Sequence, residues 1–68
     1  MSSEVMEFMV WLVERVARKF FDGNKRLAYN QLKATGLWEH YVRHYETSHT
    51  LNEEYLLVDI KECLERHG

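Results

Sequence analysis

The sequence predicts an all-α fold: a compact bundle of three long helices and one short helix, forming one domain over residues 1–68. Three observations lead to it. No proline occurs anywhere, which suits helices joined by short connections. Apolar residues recur at helical spacing in four stretches. Between those stretches stand residues that start or stop helices, namely Ser2, Ser3, Gly23, Asn24, Gly36 and Thr50.

The first helix is expected to begin at Ser2 or Ser3, where a hydroxyl caps free amides and Glu4 and Glu7 sit in the helix-dipole field. Gly23 supplies its left-handed stop. From Val5 to Phe21, at about 100° per residue, ten apolar side chains fill one broad half of the wheel. Phe8 and Trp11 fall outside that half, among Glu4, Glu7, Arg15, Arg18 and Lys19. A tryptophan on a charged face calls for a cover, from this chain, a second copy or another protein.

Asn24 is a good cap for a second helix running to about Ala34, with Gly36 as its terminator. Leu27, Ala28, Tyr29, Leu32 and Ala34 surround it so fully that a central packing position is expected. Leu37 to Tyr45 reads as the short third helix, because Trp38, Tyr41, Val42 and Tyr45 keep the i, i+3, i+4, i+7 spacing. Glu46 to His49 has no period and reads as a connection. Thr50 and Glu53 have the spacing of a capping box at the start of the last helix, which runs to about Arg66. Leu56, Leu57, Ile60, Cys63 and Leu64 form its inward stripe, with Tyr55 and Val58 off it.

Size and composition narrow the function. A chain this short buries only about 60% of its unfolded surface, so support from a partner is expected. Its single cysteine, Cys63, allows no internal disulfide and reads as a small core residue in a reducing compartment, which points to the cytoplasm. The net charge of −2 and a pI near 6.0 give no general attraction to nucleic acid or anionic membrane. The charge is uneven, with Arg15, Arg18, Lys19, Lys25 and Arg26 in the first half and Glu46, Glu53, Glu54, Asp59, Glu62 and Glu65 in the second. No secretory leader is evident, and the apolar run Phe8 to Val13 is too short to span a bilayer.

Chemical sites are weakly supported. His40 and His44, like Cys63 and His67, have a spacing that places two ligands on one helix face. The histidines are expected on an outer face, Cys63 on an inner one and His67 at a helix end, so no metal or other cofactor is expected. Ser48 and His49 are neighbours and point different ways, and no glycine-rich loop holds a nucleophile or a phosphate. An enzyme with a small-molecule substrate is therefore not expected. The second and third helices around Gly36 mimic a helix-turn-helix, and a small DNA-binding regulator is the alternative reading. Against it, Leu37 to Tyr45 offers a groove only Arg43, beside the repelling Glu39. Phe8, Trp11 and Arg15 are residue types enriched at the centres of protein interfaces. They form the candidate docking patch, with Glu4, Glu7 and Arg18 as its rim.

The second half, through Gly36-Leu37, Tyr41, Tyr45, His49-Thr50, Glu54-Tyr55-Leu56 and Asp59-Ile60, resembles a small bacterial family catalogued as a domain of unknown function (thirty-seven ninety-one). That family shares a Tyr-x-x-x-His-Thr core followed by Glu-Tyr and Asp-Ile on a terminal helix. Here Leu51-Asn52 stands where Gln-Gly is frequent. Genes of the family commonly adjoin genes for ADP-ribosyltransferase-like proteins, so the resemblance implies an accessory or neutralising partner of such a protein. Tyr45, His49, Thr50, Tyr55 and Asp59 are expected to form a network that fixes the loop before the last helix. The function expected is a non-catalytic interaction module, bound to a protein partner or to a second copy.

Overall fold

The computed structural model describes residues 2–67 and contains five helices, with no strand among them. They are α1 (Ser3–Phe20), α2 (Lys25–Ala34), α3 (Leu37–Arg43), α4 (Tyr45–Ser48) and α5 (Glu53–His67). The all-α class holds, and the expected count of three long helices and one short is corrected to five. The difference lies at His44. Its backbone (φ −106°, ψ 32°) breaks the third helix two residues before its expected end. The chain then re-enters a single helical turn, because Ser48 N–H bonds to the His44 carbonyl at 2.9 Å and His49 N–H to that of Tyr45 at 2.9 Å. The stretch read as an irregular connection is therefore α4, and its Ser48 is buried.

The starts and stops of α1 and α2 follow local chemistry. Ser2 Oγ accepts from Val5 N–H at 3.3 Å, and Asn24 Oδ1 accepts from Leu27 N–H at 3.0 Å. α1 closes when Gly23 N–H reaches the Ala17 carbonyl at 2.9 Å, with Asp22 and Gly23 both at positive φ. Gly36 (φ 80°) ends α2 and starts α3. An added Cβ there meets nothing within 4 Å, so Gly36→Ala is a purely conformational change. It is expected to cost about 1 kcal/mol in urea denaturation.

The start of α5 differs from the expectation. Asn52 Oδ1 accepts from Glu54 N–H at 2.8 Å, whereas Thr50 Oγ1 donates back to the Thr47 carbonyl at 2.8 Å. Thr50 thus closes the α4 turn, and Asn52 caps the last helix. The short side chain of Asn52 reaches the amide two residues on.

The core is made by Met9, Leu12 and Val16 of α1, Leu32 of α2, Tyr41 of α3 and Leu56 and Ile60 of α5, all at most 2% exposed. Ala17, Ala28, Leu37 and Leu57 complete it. α1 packs most closely on α2, and α2 on α3. One expectation is corrected here. α2 is not enclosed: only Ala28 and Leu32 are buried, while Leu27 and Tyr29 are exposed. The apolar half of α1 is not wholly covered either, since Met6 and Val10, one turn apart, remain about half exposed at 47% and 50%. Its covered arc extends instead toward Phe8 and Trp11, which are half-buried and packed on the core.

Candidate interaction surface

Phe8, Trp11 and Arg15 follow one another at i+3 and i+4, so they form a row along α1. The rings of Phe8 and Trp11 stack with centroids 5.9 Å apart. The Arg15 guanidinium lies 5.8 Å from the Trp11 centroid, and Arg15 Nε stands 3.5 Å from Glu53 Oε1 at the start of α5. The break at His44 makes the other end of the row. It turns Tyr45 onto the edge of Phe8 at 5.5 Å, and Tyr45 stacks flat on His49 at 4.4 Å. His49 Nδ1 is 2.8 Å from the Tyr45 carbonyl, which holds the imidazole over the phenol.

The row therefore runs Glu53, Arg15, Trp11, Phe8, Tyr45, His49, across three helices. Phe8, Trp11, Arg15 and Tyr45 are half-buried within it, and His49 and the rim residues Glu4, Glu7 and Arg18 are exposed. The chain itself supplies part of the cover that the sequence demands for Trp11. Glu53 is the member that sequence reasoning missed, because its spacing to Thr50 suggested a capping role. Tyr45 and His49 were expected in the loop network before the last helix, not in this row.

The five residues expected to fix the loop divide into separate groups. Tyr45, His49 and Thr50 serve the α4 turn. Tyr55 is 67% exposed. Asp59 accepts a 2.8 Å hydrogen bond from Tyr41, a residue outside that set. The signal for Tyr41 was its place on the inward stripe of α3, since a buried phenol needs an acceptor. Burial raises its pKa above the ordinary tyrosine range, and the hydrogen bond to Asp59 adds to the rise.

The sign of that shift gives a prediction. A proton held more tightly in the folded state adds stability that is complete below the unfolded pKa near 10, and is lost as pH climbs toward the raised folded value. Urea midpoints measured from neutral pH into the alkaline range should fall above about pH 10. Tyr41→Phe should flatten that fall. At neutral pH it should cost about 1 kcal/mol for the lost hydrogen bond.

Other chemistry is sparse. His40 and His44 stand with ring centroids 4.9 Å apart. Among the described residues, no group of three or more His, Cys, Asp or Glu is placed to hold a metal ion. Ser48 is buried while His49 is exposed. Around Gly36, Lys33 Nζ donates to Glu39 Oε1 at 2.7 Å, and Trp38 packs edge-on against Tyr29 at 5.0 Å. Both contacts engage the outer side of α2 and α3. No helix among the described residues is long and apolar enough to cross a membrane.

The profile of a family described as "Protein of unknown function (DUF3791)" matches residues 7–67. No curated protein and no solved structure matches the chain.

Proposed function

The chain belongs to this family of unknown function, and we propose that it is a non-catalytic protein-interaction module of the cytoplasm. It docks through the α1 row of Phe8, Trp11 and Arg15, with Glu4, Glu7 and Arg18 around it. The partner class that the family resemblance points to is an ADP-ribosyltransferase-like protein, which this small protein would accompany or neutralise.

One observation supports the reading above others. The stacked Phe8–Trp11 pair, with Arg15 over the indole, is covered on one side by the core and Tyr45 and remains partly open on the other. Preordered aromatics beside an arginine lose little side-chain entropy on binding, which is why such groups dominate interface energetics. The DNA-binding alternative gains no observation in its favour.

Light scattering of the 8.2 kDa chain, alone and mixed with an ADP-ribosyltransferase-like protein, tests the proposal. A defined complex is expected. Arg15→Ala combined with Arg18→Glu should weaken it at least tenfold, or about 1.4 kcal/mol. Circular dichroism should be unchanged, because both side chains leave the core untouched. A chain that stays monomeric in every mixture, or a complex indifferent to the double variant, would remove this reading.

A further inference from the structure

α5 has two apolar faces. Leu56, Leu57 and Ile60 point into the core. On the outer face Tyr55 and Val58 stand 67% and 56% exposed, with exposed Leu51 just before the helix. Shallow grooves flank this ridge. One of about 240 Å³ lies between α5 and the α3–α4 corner, with Tyr41 and Leu56 as its floor and His40 and His44 on its far wall. Another of about 290 Å³ lies between α5 and the end of α1, lined by Lys19, Phe20, Glu54, Leu57, Val58 and Lys61. The ridge thus separates two hollows of side-chain size.

The surrounding charge selects an occupant. At about 100° per residue, Glu54, Glu62 and Glu65 fall within about 80° of arc that also holds Val58. Lys61 lies about 20° beyond one edge of the arc, and Tyr55, Arg66 and Asp59 follow in turn beyond the other, at about 20°, 40° and 60°. We propose that the outer face of α5 docks a basic amphipathic helix from another protein. Its apolar residues at i, i+3, i+4 and i+7 would sit over Tyr55 and Val58 and in the grooves, with Lys or Arg side chains against Glu54, Glu62 and Glu65.

A second copy fits poorly. A two-fold contact places each patch against itself, so these carboxylates would face one another. A stable dimer also needs about 800 Å² per protomer, about a sixth of this chain's 4824 Å² surface. A ridge of three apolar side chains falls short of that and matches a single helix. Glu53, which pairs with Arg15, lies on another side of α5, so this face and the α1 row can succeed or fail separately.

The probe is a synthetic four-turn peptide with leucine at the apolar positions and lysine on both flanks, titrated into the full ¹⁵N-labelled chain. Shift changes are expected to cluster between residues 51 and 62. Affinity should fall at least tenfold when salt rises from about 50 to about 300 mM. It should fall tenfold or more in Tyr55→Ser/Val58→Ser, two exposed positions whose change leaves the fold intact, as circular dichroism would verify. Trp11→Ala should leave it unaltered. Equal binding of the glutamate-for-lysine peptide, shifts confined to α1, or no shifts at all would overturn the proposal. So would a homodimer that the double variant dissociates, since that result gives the face to a second copy.

Discussion

Leu32→Ala is expected to destabilise the fold by about 2–5 kcal/mol, the largest loss of any single truncation considered. Leu32 is fully buried on α2, the helix that touches both α1 and α3. Its removal leaves a cavity in the core that the surrounding helices close only in part. A domain of this size has a total stability of about 3–10 kcal/mol, so the variant is expected to be largely unfolded at physiological temperature. Urea denaturation followed by circular dichroism reads the loss directly. Leu27→Ala, on the same helix but exposed, serves as the control and should cost less than about 1 kcal/mol. Equal effects at the two positions would mean that α2 is enclosed after all.

Trp11→Ala has the second largest expected effect, and it acts in two ways. The indole is half-buried against the core and stacked on Phe8, so its loss should cost about 1–3 kcal/mol of stability, less than for a fully buried ring. It should also weaken partner binding by tenfold or more, because it removes the centre of the row and the surface on which Arg15 lies. The effects separate if binding is measured well below the variant's unfolding temperature. Stability lost with affinity unchanged would make Trp11 a structural residue only.

Much of the fold was legible because it rests on local chemistry. Ser2, Asn24, Gly23 and Gly36 act on backbone within a few residues of themselves, and α1 and α2 appear where those signals place them. The inward stripe of α5 was equally readable from its period, as was the outward position of Tyr55 and Val58. What failed depended on competition between neighbours. Thr50 had the spacing of a cap, but its hydroxyl found the Thr47 carbonyl first, and Asn52 took the cap. The α4 turn has too few residues to show a period.

The candidate surface was legible in its α1 part and not in its cover. Phe8, Trp11 and Arg15 share a helix, so their alignment follows from spacing. The contacts from Tyr45 and Glu53 join residues 37 and 38 positions apart, and nothing in spacing announces them. The Tyr41–Asp59 bond is similar, spanning 18 positions between two helices. For such pairs the sequence shows only the need, a phenol on an inward stripe or an indole among charges, and the fold supplies the answer.

The most direct measurement uses the indole itself. Trp38→Phe leaves Trp11 as the sole tryptophan, so its emission and its quenching by acrylamide report on this row alone. In the free chain the expected result is intermediate quenching, as befits a half-covered ring, falling with a blue shift when the complex forms. Unchanged quenching in a complex established by light scattering would contradict docking through Trp11.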